Sequence, residues 1–148
     1  MDTPLVRVIA QVAVTLVLVG LILTVQLVHY PLFARVGAPG FAAYEAEHSS
    51  RITWLVLPLM FSELALASWL AFATPPALPR WSAWLGLGLV VLIWLSTFFV
   101  QVPQHAILGR GWDARAHAVL VATNWIRTVA WIARGGLGVW WLFALAAR

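Results

Sequence analysis

Four long apolar runs, at about residues 8–29, 52–73, 82–102 and 117–146, dominate this chain. Each is long enough to cross a bilayer as a helix, which takes about 20 residues. Lipid offers the backbone no hydrogen-bond partners, so such runs must satisfy their own amides and become helices. The second and third runs are separated only by "TPPALPR", a proline-broken turn that makes them an antiparallel pair. The predicted fold is all-α: an integral membrane four-helix bundle, 148 residues in a single domain, with the lipid bilayer as its first partner.

Composition supports this reading. The chain is 63% hydrophobic and 9% charged, where soluble domains average about 25% charged. A chain this short lacks the interior volume to bury that much apolar surface, so lipid must cover it. All nine cations are arginines, scattered at span ends and inside spans, which is not a nucleic-acid surface. The absence of cysteine excludes disulfides, thiolate metal sites and cysteine nucleophiles. The first run continues past the length of a signal-peptide core without a small-residue cleavage site, so it reads as a retained span.

Counting crossings sorts the polar residues. With the N-terminus on side A, the connections Tyr30–Arg51 and Pro103–Ala116 lie on side B. His29, His48, His105 and His117 then all fall on side B, with Gln26, Tyr30, Tyr44, Glu45, Glu47, Arg51, Gln101, Gln104 and Asp113. Side A keeps Asp2, Arg7, Arg80 and Arg148. Arginines near the span ends are almost evenly divided, so the positive-inside rule does not orient the bundle.

Helical spacing gathers these residues onto stripes. His117, Asn124, Arg127, Trp131 and Arg134 share one face of the fourth span; Thr97, Gln101, Gln104 and His105 share one on the third. Gln26, His29 and Phe33 line the first, and Glu63 lies deep in the second. An arginine near mid-bilayer costs about 2.5–3.5 kcal/mol, so Arg127 reads as an inner-pocket residue, while Arg134 reads as the pocket floor, a partner for Glu63 or a side chain snorkelling toward side A, with Arg127 the other candidate partner of Glu63. The stripes predict one polar pocket open toward side B. Taken singly, Gln26, Gln101 and Asn124 read as interhelical hydrogen-bond glue. Arg35, Arg110 and Arg115 read as interfacial anchors, and most of the ten tryptophans as an interfacial belt, with Trp94, Trp125 and Trp131 deep enough to line a pocket. Gly135, Gly136 and Gly138 permit close helix packing.

Imidazoles and carboxylates from several helices suit iron, copper, zinc or manganese, or a haem held axially. The predicted metal or cofactor ligands are His29, His48 and His105, with Glu45, Glu47 and Glu63 as candidate oxygen ligands and Trp131 and Gln101 lining the cofactor side. Glu63, Arg127 and Asn124 form the predicted inner catalytic shell, and Arg51 and Glu47 orient a substrate at the mouth. A metal-free route is also open: histidine beside carboxylate for acid–base work, and arginine to hold an anion.

The strings "QLVHYPLFARVG", "FAAYEAEHSSRITWLVLPLMFSE", "WLSTFFVQVPQHAILGRGW" and "NWIRTVAWIAR" resemble a group of small bacterial four-helix membrane proteins with no assigned activity. By architecture that group is similar to the anthrone-oxygenase-like membrane family, linked to oxidation of polycyclic aromatic molecules. "YPLF" and "FAAYEAEHSSRI" also resemble a loop of the haem-binding four-helix protoporphyrinogen oxidases. The resemblance implies a bacterial inner-membrane location and an oxidoreductase acting on a hydrophobic or aromatic small molecule. The alternative expectation is a homo-oligomeric transporter or channel subunit whose polar cluster is a vestibule. A third is a structural or assembly subunit, in which every buried polar group pairs with another and no cavity remains.

Overall fold

A computed structural model describes residues 3–147, which leaves Asp2 and Arg148 outside the described residues. Four helices follow one another: α1 (Pro4–Phe33), α2 (Ala38–Phe72), α3 (Arg80–Leu108) and α4 (Ala114–Ala146). Each is long and apolar enough to cross a membrane, and no strand occurs among the described residues. The architecture is the expected all-α four-helix bundle, with α1 packed on α2 and α4, and α3 on α2 and α4.

The helices outrun the apolar runs on side B. The segment read as the connection Tyr30–Arg51 is almost entirely helical, because α2 starts at Ala38 and only Ala34–Gly37 links it to α1. Gly37, with φ of 85°, makes that link, and Pro39 sits in the first turn of α2. The beginning of α2 is rich in alanine and glutamate, good helix formers. It is amphipathic rather than apolar: Phe41, Glu45 and His48 point inward, Ala43, Glu47 and Arg51 outward. Likewise α3 runs on to Leu108, and α4 begins behind Asp113, whose carboxylate accepts from the Ala116 amide at 2.8 Å.

Two helices carry a π turn on side B, at Val25–His29 in α1 and Thr97–Gln101 in α3. Each ends two residues before a proline, Pro31 and Pro103. Proline lacks an N–H and its ring crowds the carbonyl four residues back, and the wider turn relieves both conflicts. At Pro103 the conflict in α3 is relieved by a π turn, while Pro58 sits within uninterrupted α-helix. A side-chain bond from Ser96 Oγ to Gln101 Oε1 (3.0 Å) spans the five-residue step of the α3 turn.

The interior has three levels. An apolar cluster toward side B contains Ile22, Phe33, Phe41, Met60, Ile93 and Trp131. Another toward side A contains Val8, Val12, Leu70, Leu78, Ala83 and Trp141. Between them lies a charged layer. Arg134 Nε donates to Glu63 Oε1 at 2.8 Å, and each side chain is only 1% exposed. Glu63 also accepts from Thr15 (2.8 Å) and from Trp131 Nε1 (3.0 Å), and Arg134 Nη1 donates to the Gly86 carbonyl (2.6 Å). Gln11 donates to Thr15 at 3.0 Å. The layer therefore ties all four helices together, and Arg134 is a bonded interior residue.

Small residues allow this closeness. A Cβ on Gly86 would stand 2.8 Å from Arg134 Nη1. Gly135 and Gly138 of α4 pack on Val19 and Val12 of α1, whereas Gly136 faces outward with nothing near it. Trp54, Trp81 and Trp84 are exposed, as a lipid-facing belt requires; so is Trp125, which the sequence reading allowed into a pocket.

Candidate functional site

Above the charged layer the bundle encloses a cavity of about 680 Å³. Its body is apolar, lined by Ile22, Val25, Val56, Met60, Phe61 and Trp131. Its polar end gathers Tyr30, Glu45, Gln101, His105, Thr97 and Arg127. It opens sideways between α2 and α3, where Thr53, Leu57 and Phe61 on one lip and Phe98, Val102 and Ala106 on the other are exposed. In a bilayer the apolar part of those lips meets acyl chains.

At the polar end the side chains form a chain of hydrogen bonds. Glu45 Oε1 accepts from Ser49 (2.8 Å) and lies 2.6 Å from His105 Nδ1. His105 Nε2 lies 2.9 Å from the Tyr30 hydroxyl. A carboxylate at Nδ1 fixes the proton there, so Nε2 is the acceptor and Tyr30 donates to it. Arg127 Nη2 donates to the same phenolic oxygen at 3.3 Å. Arg127 is held in turn by Asn124 Oδ1, which accepts from its Nε at 2.9 Å and also from its Nη2. Asn124 Nδ2 donates to Gln26 Oε1 (2.7 Å), and Gln26 Nε2 donates to the Val121 carbonyl (3.2 Å). The guanidinium reaches Thr97 Oγ1 at 3.3 Å as well. The result is a phenol between an imidazole that can take its proton and a fixed positive charge. Tyr30 itself sits just past the first π turn, with its N–H bonded to the Val25 carbonyl, and is 3% exposed.

The predicted site residues divide into three groups. Arg127, Gln101, Trp131 and His105 line the cavity, and Asn124 braces Arg127 from behind. Glu63 lies in the charged floor, where Arg134, Thr15 and Trp131 take up its oxygens. His29, His48, Glu47 and Arg51 line a second, separate hollow of about 320 Å³ on another side of α2. There Arg51 Nη2 pairs with Glu47 Oε1 at 2.6 Å, with both side chains more than half exposed. His117 is a brace, bonded through Nε2 to the Tyr30 carbonyl at 2.8 Å.

The histidine trio is brought together, but as hydrogen-bond partners. His29 Nε2 is 2.9 Å from His48 Nδ1, and His105 engages Tyr30 and Glu45 through both ring nitrogens. Among the described residues no three His, Cys, Asp or Glu side chains are arranged to share a metal ion. The expected three-histidine metal centre thus does not fit this geometry. The residue that sequence reasoning left out of the site is Tyr30. It stands four residues after Gln26, a same-face spacing, yet by type it reads as an ordinary interfacial aromatic. No protein-family profile, curated protein or solved structure matches the chain.

Proposed function

We propose that the protein is an intramembrane enzyme that admits a hydrophobic or aromatic molecule from the lipid and moves a proton on it at Tyr30. The observation that carries this reading is the Glu45–His105–Tyr30 chain, ending beside Arg127 at the polar end of an otherwise apolar cavity. Glu45 orients His105, His105 accepts the phenolic proton, and the Tyr30 oxygen becomes the base that faces the substrate. Arg127 places positive charge where a carbonyl oxygen would gain negative charge as a neighbouring C–H loses its proton. The apolar body orients a flat or branched hydrocarbon with its oxygen function toward that end.

Oxidation of such a molecule, the expectation attached to the resemblance, begins well from an enolate or phenolate generated in this way. The three-ligand metal route lacks a ligand set, so no step is assigned to a metal. Beneath the cavity the charged layer and the side-A apolar cluster close the bundle, which supports an enclosed chamber over a transport path.

The test uses 1-tetralone, an apolar aromatic ketone with exchangeable hydrogens beside its carbonyl. Purified protein in nanodiscs is incubated with it in deuterated water, and deuterium uptake is followed by mass spectrometry. The expected result is catalysed exchange that falls by roughly 100-fold or more in Y30F and H105A, the size of a positioned acid–base group. Equal exchange in wild type and Y30F overturns the reading.

A further inference from the structure

Arg127 is the arginine that lines the cavity, and its charge meets no carboxylate. Among the described residues Glu47 pairs with Arg51, Glu45 with His105 and Glu63 with Arg134. Arg51 stands at the outer hollow of His29 and His48, and Arg134 in the charged floor, so neither reaches the cavity with a free charge. Arg127 is 7% exposed, yet each of its partners is a neutral oxygen. Its Nε and Nη2 are spent on Asn124 and Tyr30, and Nη1 donates to Thr97 Oγ1 at 3.3 Å. An η nitrogen carries a second N–H, so one donor on Nη1 is left over. A buried charge without a counter-charge is costly. Here it stands at the end of a chamber whose walls, among them Val56, Met60 and Trp131, are apolar. In such surroundings a fixed charge acts on a ligand more strongly than it would in water.

We propose that the cavity holds its ligand as an oxyanion on the free N–H of Arg127 Nη1, and that the ligand class is a hydrophobic enol or aryl alcohol. This rests on the reading of the cavity as the chamber for an apolar carbonyl compound. Loss of a C–H proton beside the carbonyl leaves negative charge on its oxygen. An aryl alcohol that gives its O–H proton to solvent keeps the electron pair and presents the same charged oxygen on an apolar ring. A site built for the first species binds the second tightly without any reaction. The cavity, at about 680 Å³, holds about 20 non-hydrogen atoms at the roughly 30 Å³ that a water occupies in the liquid. That is room for a ring system with a short chain, and a longer chain leaves between α2 and α3. The charged and titratable groups at the polar end are Tyr30 from α1, Glu45 from α2, His105 from α3 and Arg127 from α4. Glu45 opposes an anion, but His105 Nδ1–H and the Ser49 hydroxyl answer its Oε1, whereas nothing neutralises Arg127. Glu45 Oε2 has no partner, so a ligand that stayed a neutral alcohol would seek that oxygen instead. The charge carried by the bound ligand tells the two seats apart.

The experiment uses 2-naphthol, whose anion absorbs at longer wavelength than its neutral form and than any side chain of the protein. Full-length protein in nanodiscs is mixed with it and titrated across the alkaline range, where arginine keeps its charge. Protein-free nanodiscs give the reference. Bound naphthol is expected to ionise about 1–3 pH units below the reference, the effect of an opposite charge in contact. R127Q should return the transition to the reference, which at fixed pH is a loss of about 10-fold or more in naphtholate affinity. If R127Q fails to fold, R127M is measured instead, since it removes the charge without leaving a buried amide. Naphthol bound in its neutral form, no bound naphthol, or a transition lowered equally in the arginine variant each overturns the proposal. Deuterium exchange into tetralone reads Tyr30 and His105 instead. Exchange lost with naphtholate still bound strikes the proposed reaction alone, and exchange retained with naphthol bound neutral strikes the oxyanion seat alone.

Discussion

At the scale of single residues, the two arginines of α4 show how one side-chain type serves two purposes a turn or two apart. Arg127 lines the cavity and is held by a neutral amide, Asn124, so its charge is available to a ligand. Arg134 meets a carboxylate, a carbonyl and little else; its charge is spent inside the protein. Buried ion pairs seldom add net stability, yet removing one partner strands the other at a cost of about 3–5 kcal/mol. R134M alone and E63M alone should therefore each destabilise the bundle by roughly that amount. The double variant R134M/E63M should recover most of the loss, because two unpaired charges have gone together. Reversible unfolding in mixed micelles measures the cycle. Losses that simply add, with no recovery in the double variant, would deny the pair its role as the lock between helices. Sequence spacing was enough to pair Glu63 with one of the arginines. It could not choose between them, because the choice depends on how far α2 and α4 slide past each other.

At the scale of elements, the close approach of α1 and α4 depends on two glycines on one face. A methyl group on Gly138 would already stand 3.1 Å from Val12 Cγ2. G138L should force the helices apart and cost about 1–3 kcal/mol or more, as overpacking does. G136L, two residues away, meets open space and removes a helix-weakening glycine, so it should be neutral or gain up to about 1 kcal/mol. The thermal midpoint of aggregation in detergent separates the two; equal shifts would mean that α1 does not pack where the structure places it. Gly135 and Gly138 were legible as packing residues, whereas Gly136, read the same way from sequence, lies on the outward face of α4. The four-span count, the one-sided histidines and the inward arginine stripe were legible for a similar reason, since each follows from crossing number and a 3.6-residue period. The start of α2 was hidden because amphipathic helix leaves no apolar run. The Tyr30–His105–Glu45 chain was hidden because it joins three helices, and two of them pass through π turns that shift the period just before the site.

At the scale of the whole molecule, two openings among the described residues lie nearer side B, and they differ in chemistry. The outer hollow carries Glu47, Arg51 and two histidines, a place for water and protons. The larger opening between α2 and α3 is rimmed by Leu57, Phe61, Phe98 and Val102, a place for hydrocarbon. If the substrate comes from the lipid, blocking the second should matter and crowding the first should not. Benzophenone offers a probe, since it is apolar and inserts on irradiation into nearby C–H bonds, favouring methionine. Met60 is well placed to report it, being 2% exposed and part of the cavity wall. Irradiation of the wild type in bilayers should label Met60. In L57W/V102W, where two exposed lips gain indoles facing each other across the gap, labelling of Met60 should drop several-fold while the melting temperature stays near that of the wild type. E47W, which fills the outer hollow, should leave labelling unchanged. The opposite pattern, with Met60 protected by E47W and still labelled in L57W/V102W, would assign hydrocarbon to the wrong door and remove the lipid-entry half of the proposed function.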